Sequence, residues 1–124
     1  MTGWIGEVGS EVQQHLRELQ AKGSPGFAAQ VAEAFLRDTA TRLIALQDAI
    51  ARRDGDATCR VAHTIQGSGA MMGAASLARS CAELGTAARG GAFDRCEGLL
   101  AELTAAFDAI QLVIKSEDSS DSPR

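Results

Sequence analysis

The sequence is poor in the features that mark several large classes of protein. It has no tyrosine and one tryptophan, and its basic residues form no run. It therefore offers neither the clustered positive charge nor the stacking rings of a nucleic-acid surface. No apolar run approaches the roughly 20 residues that span a bilayer, and residues 1–10 lack the basic start and apolar stretch of a secretory signal. We expect a cytoplasmic protein with no nucleic-acid or membrane partner.

Cysteine is also scarce, with three residues in the chain. Cys59, Cys81 and Cys96 form no CxxC pair, and their odd number and wide spacing argue against a disulfide framework. We expect them to act as small buried hydrophobic residues. The net charge is −4, and the last nine residues hold three of the acids and one arginine, so the rest of the chain is only mildly acidic.

Helical spacing accounts for most of the apolar residues. Only two prolines occur, and no segment alternates apolar and polar residues as a half-buried strand would. Apolar residues instead recur at steps of three and four in five segments. Their members are Trp4, Val8, Val12, Leu16 and Leu19; Phe27, Val31, Phe35, Leu43, Leu46 and Ile50; Val61, Ile65 and Met72; Leu77, Cys81, Leu84 and Ala88; and Phe93, Cys96, Leu100, Leu103, Phe107, Ile110 and Ile114.

Turn and cap residues predict where these helices begin and end. Ser24 and Pro25 are typical of an N-cap and a first helical residue for the second helix. In the stretch RRDGD we expect Gly55 to end that helix and Asp56 to cap the third. The third helix should stop near Gly73.

The connections between these helices are short, which makes consecutive helices antiparallel neighbours. We therefore expect an all-α fold, an up-down antiparallel four-helix bundle with an additional N-terminal helix, in one domain over residues 1–115. Residues 116–124 carry charge and serine but nothing that could join a core, and we expect a disordered acidic tail.

The stretch AHTIQGSGAMMGA, residues 62–74, places a histidine among unusually small residues. With about 3.6 residues per turn, Ile65 and Met72 fall on the side of the helix opposite His63. Since that opposite side has the apolar character of a core face, His63 should point to solvent.

Two glycines follow His63 in a segment that is expected to be helical. Each costs the helix about 1 kcal/mol relative to alanine. Gly67, one turn beyond His63, has no side chain to cover the imidazole, so we expect it to leave the ring accessible to another molecule. Ala70, a further turn on, has a side chain too short to cover the ring. For Gly69 we favour tight helix packing.

The chemistry of an exposed imidazole limits the functions that this chain can have. A histidine with its ordinary pKa of about 6.5 is largely neutral near pH 7 and is then a nucleophile. On this face only Cys59 accompanies His63, too few ligands for zinc, so we expect no metal. The chain has no GxSxG element and no glycine-rich phosphate loop. A nucleophile without an ATP site suggests a group carrier that other proteins charge and discharge.

The same residues resemble a known family. AHTIQGSGAMMGA is similar to the signature of histidine-containing phosphotransfer (HPt) domains, typically written AHTLKGSSANLGA. The similarity extends to the preceding helix with its DGD turn and to the helix and glycine turn that follow, over residues 27–114. The resemblance implies a four-helix bundle that relays phosphoryl groups between the aspartates of receiver domains, or from a sensor histidine kinase, without kinase activity of its own.

Carried over by position, the resemblance makes His63 the phosphorylated residue and Gly67 the residue that leaves it exposed. The family usually has a lysine three residues after the histidine, where this chain has Gln66. Its amide can donate hydrogen bonds but carries no charge, so electrostatic support should be weaker. Arg60, one turn before His63 on the same face, is a candidate for the missing charge.

The docking surface for a partner should be the helix face around His63, including Cys59, Ala70 and Met71. The partners implied are a response-regulator receiver domain and/or a sensor histidine kinase. No cofactor is expected, and any Mg²⁺ should belong to the receiver, because no acidic cluster accompanies His63. We expect a monomer, and Met1 favours a free-standing protein over part of a hybrid kinase.

Two other functions are compatible with the sequence. One is an adaptor with the same bundle and partner that holds no stable phosphohistidine. The other is an aspartyl-phosphate phosphatase, in which the Gln66 amide orients a water molecule.

The departure at Gln66 is testable. If a missing charge limits the reaction, Gln66→Lys should raise the lifetime of phosphohistidine or the rate of transfer. Both are measured by following radiolabelled phosphate on the protein, and an unchanged lifetime and rate would count against a missing charge.

Overall fold

The computed structural model describes residues 3–23 and 25–120, and all regular secondary structure within these ranges is helical. The five helices are α1 (Trp4–Lys22), α2 (Pro25–Ala51), α3 (Gly55–Met71), α4 (Ala75–Arg89) and α5 (Phe93–Ser120). Across the described ranges, no helix has the length and apolar content needed to cross a membrane.

Four of these helices form a closed ring. α2 contacts α3 and α5, and α4 contacts the same two helices. Residues 52–54, 72–74 and 90–92 connect the four in sequence, and such short links make successive helices antiparallel. α1 packs against α5, α2 and α4. The predicted four-helix bundle with an additional N-terminal helix is confirmed.

The N-terminal helix is part of the core. α2 and α5 contain 27 and 28 residues, whereas α3 and α4 contain 17 and 15. At 1.5 Å per residue the long pair measures about 40 Å and the short pair about 25 Å. Val8, Val12 and Leu16 of α1 are almost completely buried and join the same apolar cluster as the other four helices. A five-helix core therefore holds the ring together.

The turn after α3 is a Schellman motif. The Ala74 amide donates to the Gly69 carbonyl at 2.8 Å, and the Gly73 amide donates to the Ala70 carbonyl at 3.1 Å. Gly73 has the positive φ, 76°, that this motif requires. The same pair of hydrogen bonds ends α4, where Gly91 has a φ of 75°.

The turn between α2 and α3 differs from the prediction that Gly55 ends α2. Arg53 takes the positive φ there, 53°, and its guanidinium lies over the Phe93 ring, 5.8 Å from the centroid. That contact offsets part of the cost of the left-handed conformation. Gly55 is instead the first residue of α3, where a Cβ would come within 3.2 Å of the Ala88 carbonyl oxygen. Close packing on the end of α4, not the turn, requires this glycine.

The cap of α3 also differs from the prediction. Asp54, not Asp56, is the N-cap, and its carboxylate accepts a hydrogen bond from the Ala57 amide at 3.0 Å. Because the helix begins earlier than predicted, the capping position moves with it.

Two predicted boundaries lie at the edges of the described ranges. Pro25 begins α2 as predicted, whereas its predicted cap, Ser24, lies outside the described residues. α5 runs to Ser120 and so includes part of the segment predicted to be a disordered tail. Residues 121–124 lie outside the described ranges.

α1 supplies a cap for α4. Ala74, which precedes α4, makes no side-chain cap hydrogen bond. Glu11 of α1 takes this role: one carboxylate oxygen accepts from the Ser76 amide at 3.0 Å and the other from the Ser76 hydroxyl at 2.7 Å. A carboxylate is favourable at the positive end of a helix, so a specific polar contact fixes α1 against α4.

Replacing Glu11 should therefore destabilise the whole bundle. Glu11→Ala removes both acceptors and should lower the free energy of unfolding by about 1–2 kcal/mol, as measured by urea denaturation. Glu18→Ala is the matched control, since Glu18 is exposed on the same helix, and it should change stability by less than about 0.5 kcal/mol. Equal effects of the two variants would contradict the capping role.

Candidate functional site

The face of α3 that carries His63 is uncovered. Ala62 and Ile65 are each 1% exposed and anchor the helix in the core, while His63 is exposed. Within the described ranges, no protein group forms a hydrogen bond or ion pair with the His63 side chain. The ring is therefore open to an incoming group, as predicted.

A cleft between α3 and α4 lies beside His63. It encloses about 240 Å³. α3 contributes Cys59, His63 and Gln66 to its lining, and α4 contributes Cys81, Ala82, Gly85, Thr86 and Arg89. The Cys59 thiol donates to the Gly85 carbonyl at 3.3 Å, which links the two walls one turn from the histidine.

The residues of α4 that line this cleft were not predicted from the sequence. Ala82, Gly85, Thr86 and Arg89 recur at steps of three and four, so they form a small and polar stripe beside the apolar seam of α4. That stripe was a usable signal, but nothing in the sequence alone indicates which surface of the bundle it faces.

Arg89 is held within this stripe. One terminal nitrogen donates to the Thr86 hydroxyl at 3.4 Å. The other lies 3.8 Å from the position that a Cβ on Gly85 would occupy. The guanidinium thus lies back along α4, over the place that the glycine leaves free.

The predicted site residues occupy different parts of the surface. Gln66 is half-buried and lines the cleft with His63, whereas Arg60 is exposed and is not among the residues that line it. Ala70 is exposed, and Met71 is 80% exposed. Of the residues predicted to contact a partner, Cys59 lies at the cleft.

Met71 borders a second, more open groove between α2 and α3. The groove encloses about 310 Å³ and is mostly apolar. Its lining residues are Val31, Ala34, Phe35, Asp38, Ser68, Met71 and Met72. Gly67 and Ala70 lie between His63 and Met71 along α3, and all four residues are exposed.

The Cys81 thiol in the cleft stays protonated. Burial raises the pKa of the Cys81 thiol to about 12, which disfavours the thiolate that metals bind. The Cys59 thiol donates its hydrogen to a carbonyl. Among the residues described, no group of three or more histidine, cysteine or acidic side chains is placed to hold a metal ion.

The two glycines after the histidine have different surroundings. A Cβ on Gly67 would meet no atom within 4 Å, whereas a Cβ on Gly69 would lie 3.0 Å from Leu77 Cδ2. Packing against α4 therefore accounts for Gly69. It does not account for Gly67, which lies in open space one turn beyond His63.

Comparison with known proteins identifies the family. The model of the Hpt domain matches residues 30–112. The chain belongs to the Hpt domain family. Histidine phosphotransfer is the activity of these domains, and His63 lies within the matched range and is exposed.

Two solved structures share the Hpt fold with this chain. Histidine-containing phosphotransfer protein B (HptB) from Pseudomonas aeruginosa PAO1 has a TM-score of 0.79 and 28% sequence identity, over 88% of this chain and 94% of that one. A rice protein described as a histidine-containing phosphotransfer protein has a TM-score of 0.64 and 18% identity, over 95% and 99%. No curated protein matches the chain at a significant level.

The open space at Gly67 yields a prediction that separates stability from activity. A side chain on a helix leans toward the turn before it, so Gly67→Leu should cover His63. The free energy of unfolding of this variant should be about 0.5–1 kcal/mol higher than that of the wild type. Phosphorylation of His63 should fall at least about tenfold.

Gly69→Ala is the matched comparison for that variant. Its methyl group would press on Leu77, so stability should gain nothing or fall by about 1 kcal/mol, with phosphorylation of His63 retained. Thermal unfolding and phosphohistidine yield are the two measurements. If Gly67→Leu kept full phosphorylation, the access role of Gly67 would be wrong.

Proposed function

We propose that this protein is a phosphocarrier of a two-component phosphorelay, in which His63 exchanges a phosphoryl group with receiver-domain aspartates. One observation carries the proposal: His63, the histidine of the stretch that resembles the Hpt signature, is exposed beside a cleft, on a helix whose opposite side is buried. A carrier of this kind needs two successive partners to reach the same atom, and an uncovered ring allows that.

The transfer step follows from the chemistry of the two groups. A ring nitrogen, expected to be Nε2, attacks the phosphorus of an aspartyl phosphate in line. The new N–P bond forms as the P–O bond to aspartate breaks, and the electron pair leaves with the carboxylate. Such transfers depend chiefly on positioning and charge neutralisation. The reverse sequence returns the phosphoryl group to another receiver.

Partner contacts should extend along α3 from the cleft to the α2–α3 groove. Met71 is 80% exposed and has an adaptable side chain, and it stands beside the apolar groove. An exposed apolar patch next to a reactive group is a natural contact for a partner. We propose that a receiver covers Cys59, Gln66, Gly67, Ala70 and Met71 when it presents its phosphoaspartate.

The residues of the cleft do not suit Mg²⁺, which prefers carboxylate and other oxygen ligands. The lining contains no carboxylate. We therefore expect the ion to be held by the receiver, and we assign it no step on this chain.

Substitution of His63 tests the function directly. A receiver domain carrying labelled phosphoaspartate should transfer label to the wild type and to His15→Gln, which removes the other histidine of the chain. His63→Gln should accept none, because its amide nitrogen is not a nucleophile. Gel autoradiography of both proteins over time gives the measurement, and circular dichroism checks that each variant is folded.

The same experiment separates the alternatives. Loss of label to free phosphate, abolished by Gln66→Ala but not by His63→Gln, would indicate a phosphatase. Stable binding without transfer or release would indicate an adaptor. Either result would overturn the phosphocarrier proposal.

A further inference from the structure

One cationic side chain lines the cleft beside His63, and it comes from α4. Of the described residues that form the lining, Arg89 is the one with a permanent charge. The α3 wall presents Gln66 at the position where the family signature has lysine. Arg60 carries a charge on α3, but it does not line the cleft.

Arg89 also lacks the ion pair that four other arginines of the bundle form. Four of them form ion pairs with acids: Arg37 with Glu33, Arg42 with Asp38, Arg52 with Asp48, and Arg95 with Glu83. Arg89 has no carboxylate within ion-pair distance in the described part of the chain. It makes a single hydrogen bond, to Thr86, and a guanidinium has five N–H donors. Most of its donors are therefore free for an anion.

Gly85 lies beside this side chain. The glycine is buried on α4, and Arg89 lies 3.8 Å from where its Cβ would be. A longer side chain at Gly85 would project into the space beside the guanidinium. The Thr86 hydroxyl donates to the Ala82 carbonyl, so Arg89 is the residue of this stripe that presents free side-chain donors at the cleft lined by His63.

We infer that Arg89, reaching from α4, supplies the positive charge that binds the phosphoryl oxygens when His63 is phosphorylated. This assignment rests on the proposed function. When the N–P bond forms, the phosphoryl oxygens retain their negative charge, and a guanidinium can pair with two of them at once. The Gln66 amide donates from the opposite wall, so one uncharged and one charged group share the role.

The charge of Arg89 can be measured without a partner protein. Phosphoramidate transfers its phosphoryl group to imidazole as its P–N bond breaks and ammonia leaves. With His63 phosphorylated in this way, ³¹P NMR against pH gives the second pKa of the phosphoryl group. A nearby positive charge lowers that pKa, so Arg89→Gln should raise it by about 0.5–1, and Arg89→Lys should raise it less.

Matched variants define the controls. Arg37→Gln removes one positive charge from the exposed surface of α2 and should leave the pKa as in the wild type. Adding Gln66→Lys to the Arg89→Gln variant should lower the raised pKa of the phosphoryl group. The same change alone should lower this pKa less, because Arg89 already supplies a positive charge in the wild type. Transfer from a phosphorylated receiver should be about tenfold slower for Arg89→Gln than for Arg37→Gln.

The outcomes separate this assignment from the proposed function. If the wild type is phosphorylated but Arg89→Gln has an unchanged phosphoryl pKa, or if Arg60→Gln alone raises it, Arg89 does not bind the phosphoryl group and the phosphocarrier function stands. If wild-type His63 takes no phosphoryl group from phosphoramidate or from a receiver, both the function and the assignment are wrong.

Discussion

The site depends on the burial of one side of α3. Helical geometry puts Ala62 and His63 about 100° apart around the axis, so the same packing that locks one into the core turns the other outward. The glycines of this segment make α3 intrinsically weak, and short helices in proteins owe their stability mainly to tertiary packing. The neighbouring helices therefore fix the histidine, and α3 alone could not. The backbone that carries His63 is therefore held in place by residues of the neighbouring helices.

Periodicity made the arrangement of the bundle predictable. Buried positions such as Ile65 and Leu84 recur at helical spacing, so the sequence states which side of each helix meets the core. The outward direction of His63 follows from the same count. Gly67 and Gly69 could also be distinguished in advance, because one lies on the face of the histidine and the other lies toward the packed side.

Features that join distant parts of the chain could not be predicted in the same way. Arg89 lies 26 positions after His63, and only the contact of α3 with α4 brings their surfaces together. Asp54 caps α3 in place of the predicted Asp56 because the helix begins at Gly55, and Gly55 packs against the Ala88 carbonyl of α4. That tertiary contact lies outside what local capping rules describe.

The capping of α4 by α1 has a consequence for the limits of this unit. The family match begins at residue 30, beyond the whole of α1, yet Glu11 provides a carboxylate to Ser76 and three valine and leucine side chains of α1 lie in the common core. The residues that form the reactive cleft therefore lie within the family match, whereas residues that stabilise the fold also lie outside it, in α1. A fragment excised at the edge of the recognisable family pattern would keep every atom of the reactive cleft and still lose the helix that seals the apolar interior.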